Sequence, residues 1–296
     1  MIKPPFCFGN AVFGVPAKTV LIGSVFYKSD RKVLDHKKGE VSLPALEREL
    51  KSVEILKERV GLDHALDVIA ETPLAMEKCL GILAEMTDDP LLIGGMDEET
   101  RIAGYNKARD LGIQAKCGVN SIGPATSEKE LGSMKSNGIK FAVLQTMDPS
   151  AVYPLEKVAL FKGSLQTKCE IAEIEMAVID VGIIDFTSAW LAAESIKMVH
   201  KELNLLAGCA PSNAAYQPLG AHKISRKSAR SINVSLNTMM QLAGADFIIY
   251  GPLRAATYVF EAAAIVEAIK AYGSKLAGEK LIDKGHPLHR FLPKLV

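Results

Sequence analysis

Three apolar runs of this sequence each end in a side chain that can form directional hydrogen bonds. These side chains are Asn120, Asp180 and Asn213. A carboxylate accepts two parallel N–H bonds, and a primary amide donates and accepts at once. Such groups suit the edge of a small, flat, nitrogen-rich ring. The sequence therefore predicts a site for a heterocyclic ligand, provided that the three side chains converge.

Each of these residues also has a purely structural interpretation. An asparagine at the end of a strand commonly closes the next turn through side chain to backbone bonds, and this alternative stays open for Asn120 and Asn213. Asp180 favours function more strongly, because an acid within so apolar a run is costly to bury without a partner. Asp97 precedes a helical pattern, which favours a helix N-cap.

The elements that must position these residues alternate between β-rich runs and helix-periodic segments, which is typical of parallel βα units. The predicted strands are 20–27, 65–70, 91–95, 115–121, 140–146, 176–181, 205–209 and 247–251. Eight such repeats predict an α/β fold, a single (β/α)8 TIM barrel, with one domain over residues 1–296. Sites in these barrels lie where the carboxyl ends of the strands meet, so strands four, six and seven would deliver Asn120, Asp180 and Asn213 to one mouth.

The helices carry their own signals. Ser42 is the expected N-cap of the first, and Gly61 follows its last turn. Thr72 starts the second, and Ser127 with Glu130 has capping-box spacing. Later helices are expected at 188–203, 224–243 and 255–276. Residues 211–230 are expected as a long connection that carries Lys223, Arg226, Lys227 and Arg230.

Composition excludes several classes of protein. The net charge is +1 over 296 residues, which gives no long-range attraction to nucleic acid or to an anionic membrane. No leader or membrane-spanning stretch is evident, so a cytoplasmic location is expected. The five cysteines are widely spaced, so no metal site is predicted and Cys117 and Cys209 are expected as buried apolar residues.

Other catalytic motifs are missing from the sequence. It contains no G-x-S-x-G, P-loop, H-E-x-x-H or G-x-G-x-x-G motif. A Schiff-base enzyme would need a lysine deep within a strand, whereas Lys140 stands at the start of its run.

Several segments, taken in order, resemble the family of the H subunit of tetrahydromethanopterin S-methyltransferase. They are Val20-Leu21-Ile22-Gly23-Ser24-Val25-Phe26-Tyr27, Thr72-Pro73-Leu74-Ala75-Met76-Glu77-Lys78, Arg101-Ile102-Ala103-Gly104, Asn120-Ser121-Ile122, Val178-Ile179-Asp180 and Gly244-Ala245-Asp246-Phe247-Ile248-Ile249-Tyr250-Gly251-Pro252. They span most of the chain. That family is similar to the wider group of pterin-binding barrels, which includes the methyltetrahydrofolate:corrinoid methyltransferases.

The resemblance implies transfer of a methyl group between N5 of a reduced pterin and the cobalt of a corrinoid (cobalamin). Asn120 and Asp180 match pterin-binding residues of strands four and six, and Asn213 looks like the asparagine that faces N5. Gln145 and Asp97 are further candidates for pterin binding. Asp180 and Asn213 are the expected catalytic residues.

Two departures from the family favour tetrahydrofolate, or 5-methyltetrahydrofolate, as the pterin. Family members often carry an aspartate after the third strand, where this chain has Ile93-Gly94-Gly95, unless Asp97 reaches back to replace it. Residues 209–213 read Cys-Ala-Pro-Ser-Asn, where the archaeal subunits are rich in glycine and histidine. A stand-alone methylcorrinoid:tetrahydrofolate methyltransferase of methylamine or betaine breakdown is therefore expected.

Three alternatives remain. The chain could be an archaeal-type tetrahydromethanopterin methyltransferase subunit, or a non-catalytic subunit that holds a pterin in a larger complex. A dihydropteroate synthase fits less well, because it needs a basic site at strand eight and no lysine or arginine follows before Arg254.

The expected partner is a separate corrinoid-binding protein, since no Asp-x-His-x-x-Gly signature is present. The basic residues at 223–230 would meet that partner or the glutamate tail of a folate, with a solvated helix start as the third interpretation. The oligomeric state stays open between a monomer and a homodimer, since barrels of this type often pair.

Overall fold

A computed structural model describes residues 1, 4–16, 18–221, 223–279 and 284–295. The strands are β1 (Phe6–Phe8), β2 (Ala11–Phe13), β3 (Val20–Val25), β4 (Val33–Asp35), β5 (Glu40–Val41), β6 (His64–Ala70), β7 (Leu91–Gly95), β8 (Cys117–Ile122), β9 (Phe141–Gln145), β10 (Met176–Asp180), β11 (Leu206–Cys209) and β12 (Phe247–Pro252). Eight of them, β3 and β6 to β12, form a closed parallel barrel in chain order. The predicted α/β barrel is confirmed.

Helices follow the barrel strands and cover the outside of the barrel. They are α1 (Leu43–Val60), α2 (Pro73–Met86), α3 (Glu98–Asp110), α4 (Glu128–Ser136), α5 (Pro154–Leu160), α6 (Gln166–Ile171), α7 (Ser188–Leu203), α8 (Pro211–Gly220), α9 (Arg226–Leu242), α10 (Ala256–Leu276) and α11 (Pro287–Arg290). Side chains alternate between the two faces of each strand. On β3, Val20 and Ile22 belong to the cluster inside the barrel, whereas Leu21 packs in the layer beneath the helices.

The predicted helix ends are largely confirmed. Ser42 precedes α1, and Gly61 ends it in a left-handed conformation with φ of 79°. The hydroxyl of Thr72 caps α2. Ser127 caps α4, but the capping box is incomplete because the carboxylate of Glu130 binds Arg101 and Tyr105 instead of the N-cap backbone.

A hairpin of β1 and β2, which the sequence did not predict, closes the amino-terminal end of the barrel. Phe8 stacks on Phe141 with ring centroids 4.0 Å apart, and Phe6 and Phe13 pack beside this pair. These rings belong to the cluster inside the barrel. A ligand therefore has to reach the barrel interior from the carboxyl ends of the strands.

The prediction of one long connection over 211–230 is wrong, because most of this segment is helical. Helix α8 begins at Pro211, two residues after β11 ends, and α9 begins at Arg226 with Ser225 as its N-cap. Proline fits the first turn of a helix because its missing N–H would have no partner there. Arg226, Lys227 and Arg230 thus lie in the first turns of a helix at the mouth of the barrel.

Within the described ranges, no helix has the length and apolar character needed to cross a bilayer.

Candidate functional site

Three polar side chains from alternate barrel strands gather inside the mouth. Asp67 is on β6, Asn120 on β8 and Asp180 on β10, the second, fourth and sixth strands of the barrel. Residues from alternate strands form one layer across such a barrel. The sequence predicted Asn120 and Asp180 as neighbours but missed Asp67, which bonds to one and raises the pKa of the other.

Asp67 is buried and anchored by two neighbours. One carboxylate oxygen accepts from the side-chain amide of Asn120 at 3.0 Å, and the other accepts from the hydroxyl of Ser24 at 3.2 Å. Gly94 makes room for this carboxylate, since a Cβ there would lie 2.8 Å from its Oδ1. Burial raises the pKa of Asp67 to about 6, although both hydrogen bonds act to lower it.

Asp180 is the second buried carboxylate. Its Oδ1 accepts from the backbone N–H of Gly182 at 2.8 Å, and among the described residues its Oδ2 has no hydrogen-bond partner. Burial raises the pKa of Asp180 to about 6, and the charge of Asp67 adds to this increase, while Gly182 and Lys157 oppose it. A free oxygen on a desolvated carboxylate is a strong acceptor for a ligand N–H.

Lys157 is a further charged residue near the site, and no pattern in the sequence singled it out. Its ammonium is buried and donates to the carbonyls of Thr146 and Ala151, at 3.2 and 3.0 Å. These bonds tie α5 to the loop that follows β9. Desolvation lowers the pKa of Lys157, and the nearby Asp180 acts to raise it. The lysine therefore places a positive charge close enough to Asp180 to favour its ionised form.

Gln145 extends the polar layer around the barrel. It pairs with Asp180 in the register of β9 and β10 and is partly exposed. Because Phe141 and Val143 of the same strand belong to the inner cluster, alternation places Gln145 on the inner face as well. Asn120 donates one of its two amide hydrogens to Asp67, and its carbonyl oxygen has no partner within the described ranges.

Asp97 lies outside this group. It is exposed, and its carboxylate caps α3 by accepting from the backbone N–H of Thr100 at 2.8 Å. The Thr100 side chain and that backbone bond lower its pKa. The structure does not bring Asp97 to Asp67, Asn120 or Asp180, so its role here is that of a helix cap.

Asn213 lies at the same end of the barrel but not at a strand end. It occupies the first turn of α8, its backbone N–H bonds to the carbonyl of Ala210 at 3.1 Å, and its side chain is exposed. Within the described part of the chain, no hydrogen bond joins its side chain to the buried carboxylates. The structure therefore places Asn213 at the exposed rim of the mouth and does not bring it into contact with the three buried residues.

The buried thiols take no part in this layer. Cys117 and Cys209 are buried, as predicted, and burial raises the pKa of Cys117 to about 12. A separate groove of about 360 Å³ is lined by Pro4, His200 and Asp246 at the closed, amino-terminal end of the barrel. The mouth, with its two desolvated carboxylates, is the stronger candidate for chemistry.

This layer can bind the edge of an aminopyrimidine ring. Burial opposes the charge of the two acids and raises the pKa of each to about 6, so N–H donors from a ligand would stabilise their ionised forms. The free oxygens of Asp180 and Asn120 accept, and the amide of Gln145 can donate or accept. A ring that presents two adjacent N–H groups matches these acceptors.

Comparison with known proteins points to one family. The family model described as "Tetrahydromethanopterin S-methyltransferase MtrH subunit" matches residues 9–282. The H subunit of tetrahydromethanopterin S-methyltransferase from Methanothermobacter thermautotrophicus is 26% identical over 96% of this chain and 96% of its own length. The corresponding protein from Methanosarcina acetivorans is 26% identical over 92% of this chain and 91% of its own.

Solved structures with a similar fold are dihydropteroate synthases. The Yersinia pestis enzyme in a sulfonamide drug complex has a TM-score of 0.64 and 13% identity, covering 90% of this chain and 99% of its own. The Xanthomonas albilineans enzyme with 4-aminobenzoic acid has a TM-score of 0.58 and 16% identity, covering 86% and 94%. At such identities the likeness concerns the fold.

Proposed function

Because this chain belongs to the family of the H subunit of tetrahydromethanopterin S-methyltransferase, we propose that it transfers a methyl group between N5 of a tetrahydropterin and the cobalt of a corrinoid. The observation that carries the proposal is the layer of Asp67, Asn120 and Asp180 at the mouth of the barrel. The pyrimidine half of a pterin presents an amine and a ring amide side by side, which matches this layer.

The pterin we propose is of the tetrahydromethanopterin type, which corrects the expected preference for tetrahydrofolate. The relatives that match nearly the whole chain are named for tetrahydromethanopterin. The absence of an aspartate directly after β7 argues little against tetrahydromethanopterin. Gly94 stands there instead, and it leaves space for the carboxylate of Asp67.

Asn213 is the proposed residue for N5. In the forward direction the N5 lone pair attacks the methyl carbon, the N–C bond forms, the Co–C bond breaks with its electron pair left on cobalt, and N5 then loses a proton. In reverse, N5 is protonated before Co(I) takes the methyl group. The rotatable amide of Asn213 accepts from protonated N5 or donates to the free amine. Its contribution is greatest where charge develops in the transition state.

The corrinoid is proposed as a substrate carried by a separate protein. The mouth is the open end of the barrel, because the aromatic hairpin closes the other end. A corrinoid presented by a partner therefore has to approach over the rim, on the side of the pterin that faces solvent.

The decisive experiment uses the purified full chain with methylcobalamin and either tetrahydromethanopterin or tetrahydrofolate. We expect the reaction to form Co(I), which is measured by its absorbance, together with the N5-methyl pterin. Turnover should be faster with tetrahydromethanopterin than with tetrahydrofolate. Pterin binding without any transfer, with free or protein-bound corrinoid, would instead establish a non-catalytic pterin-holding subunit. Failure to bind either pterin would end the proposal.

A further inference from the structure

Three tyrosines and two arginines form a group on one side of the mouth, where β11, β12 and β3 end. This rim cluster consists of Tyr27 after β3, Tyr216 on α8, Arg230 on α9, and Arg254 and Tyr258 after β12. From the sequence, Arg230 stood out as part of a basic segment, Arg254 only in the argument against a dihydropteroate synthase, and Tyr27 only within the family resemblance.

Each arginine of the rim cluster lies against a tyrosine. The guanidinium carbon of Arg254 is 5.9 Å from the ring centroid of Tyr27, and its Nη1 donates to the Tyr27 hydroxyl. The guanidinium carbon of Arg230 is 5.6 Å from the ring centroid of Tyr258. These contacts orient planar groups that keep most of their N–H donors available.

Tyr216 and Tyr258 of the rim cluster are hydrogen-bonded to each other. The hydroxyls of Tyr216 and Tyr258 are 2.5 Å apart, and Tyr216 also accepts from Asn233. Burial raises the pKa of Tyr27 to about 12, so its phenol stays neutral and does not cancel the charge of Arg254.

Neither arginine of the rim cluster has a carboxylate within salt-bridge distance among the residues that the structure describes. Elsewhere Arg59, Arg101 and Arg109 do pair with acids. Asp30 and Glu49 lie near enough to act on Arg254, but Lys32 binds both of them. The cluster therefore presents positive charge that the chain itself leaves available for an anion.

The rim cluster adjoins the proposed position of N5. Tyr216 follows Asn213 by three residues on α8, so the two side chains share a face of the helix. The ring of Tyr216 also covers Gly251 at the end of β12, where a Cβ would lie 3.2 Å from its Cε2. In a tetrahydropterin the side arm is carried by C6, the atom bonded to N5. An arm that leaves a ring whose N5 is at Asn213 therefore runs past Tyr216.

We propose that the rim cluster is the binding site for this side arm, with its aromatic ring against the tyrosines and its anionic end on Arg230 and Arg254. The inference rests on the proposed function. It adds a binding site for the part of the substrate that the layer of Asp67, Asn120 and Asp180 does not contact. The arms of tetrahydrofolate and tetrahydromethanopterin share this chemistry, an aryl group followed by anions, which are carboxylates in the first and include a phosphate in the second.

Calorimetric titration of the full chain with three pterins tests the inference. They are 6-methyltetrahydropterin, which lacks the arm, tetrahydrofolate and tetrahydromethanopterin. We expect the variant Arg230→Ala/Arg254→Ala to bind the two armed pterins roughly 30-fold more weakly, as for the loss of two solvent-exposed ion pairs at the upper end of their range, while 6-methyltetrahydropterin binds unchanged. A larger loss for one armed pterin identifies which anion the arginines prefer.

Two controls separate this role from loss of charge or of folding. Lys227→Ala removes a positive charge from the same helix without a tyrosine contact, and Arg59→Ala removes an arginine 5.8 Å from the Phe291 ring at the other end of the barrel. Both should bind all three pterins as the unaltered chain does. Raised ionic strength should weaken the binding of the two armed pterins to the unaltered chain, but not their binding to the Arg230→Ala/Arg254→Ala variant.

Three results would overturn the inference. Armed pterins could bind the double variant normally, or 6-methyltetrahydropterin could lose as much affinity as they do. The double variant could also keep all pterin binding and lose only turnover with a protein-bound corrinoid, which would assign the cluster to the partner. If the unaltered chain bound neither armed nor armless pterins, the proposed function itself would have failed.

Discussion

Asn120 donates its side-chain amide hydrogen to the buried carboxylate of Asp67 at 3.0 Å, although the two residues belong to different, non-adjacent strands of the barrel. The bond fixes the orientation of the amide, so that its carbonyl oxygen and its second N–H are the groups left for a ligand. Asp67 therefore determines which hydrogen bonds Asn120 can form with the edge of a ligand ring.

Asp67→Ala should weaken pterin binding by at least tenfold, because it removes one acceptor and frees the Asn120 amide to rotate. Fluorescence or calorimetric titration with 6-methyltetrahydropterin measures this loss. Asp97→Ala is the matched control: it should leave affinity unchanged and lower the free energy of unfolding by about 1 kcal/mol through loss of a helix cap. Equal losses of affinity in the two variants would return Asp97 to the site.

The stability of the unliganded protein should depend on pH through its buried acids. Burial raises the pKa of Asp180 from 3.8 to about 6, so between these values the folded chain holds a proton that the unfolded chain releases. Stability therefore falls as the pH rises through this window. Asp180→Asn should be more stable than the unaltered chain above the window, by on the order of 2–3 kcal/mol, with little difference below it.

Urea unfolding at a pH well above and a pH well below that window measures this difference. Asp185→Asn is a suitable control, because Asp185 is exposed and hydrogen bonds from Ser188 and Thr187 lower its pKa. A variant Asp180→Asn that is destabilised at high pH would mean that the carboxylate is stabilising in the folded state.

Asn213→Ala should slow methyl transfer far more than it weakens pterin binding. A hydrogen bond that strengthens as charge develops on N5 contributes mainly to the transition state, and its loss should lower kcat by roughly 100-fold. Because Asn213 is exposed in the first turn of α8, little change in folding is expected. Steady-state kinetics with methylcobalamin separate kcat from KM. A rise in KM with kcat unaltered, and therefore an equal fall in kcat/KM, would assign Asn213 to binding alone.

Much of the scaffold could be predicted from the sequence because its signals are local. Strand β7 and helix α7 have the expected bounds, and α1 lies between Ser42 and Gly61 as expected. Each depends on hydrophobic periodicity or on a capping residue that the chain itself contains. The hairpin of β1 and β2 was missed because strands of three residues carry too little pattern.

The site was harder to predict because the depth of a residue in the mouth depends on the tilt of all eight strands. Asp67 is the fourth residue of β6, with three more before the strand ends, so it does not look like a strand-end residue. Its isolation in the run His64-Ala65-Leu66-Asp67-Val68-Ile69-Ala70 was the available signal. The cost of burying an acid, which singled out Asp180, applied equally to it.

Two segments that carried the family resemblance lie against each other in the structure. Gly23 and Gly251 pair between β3 and β12, and Gly23 also leaves space for the side chain of Tyr250. The hydroxyl of Tyr250 in turn bonds to the buried His64 at 3.1 Å. Gly23 and Tyr250 therefore contribute to packing in the wall of the barrel, while Ser24 of the same segment bonds to Asp67 of the candidate site.

Gly23→Ala should consequently destabilise the protein, because a Cβ there would lie 2.3 Å from the Tyr250 hydroxyl and 2.8 Å from its ring. A loss of about 1–3 kcal/mol in the free energy of unfolding is expected for such overpacking. Gly132→Ala is the control: it lies in α4 with nothing within 4 Å of the new Cβ, so it should be neutral or slightly stabilising. Chemical denaturation of both variants gives the comparison, and equal stabilities would contradict the tight fit around Gly23.

Lys157 and Asp67 should move the titration of Asp180 in opposite directions. After desolvation and the Gly182 bond, the charge of Lys157 lowers the pKa of Asp180 and that of Asp67 raises it. Lys157→Met should therefore raise this pKa above about 6, and Asp67→Asn should lower it. The carbon-13 shift of the Asp180 carboxyl group, followed through pH, measures both. Lys162→Met, at an exposed position of the same helical segment, should change neither the titration nor folding. If Lys157→Met instead lowered the pKa, the loop it ties at Thr146 and Ala151 would have opened and let water reach the carboxylate.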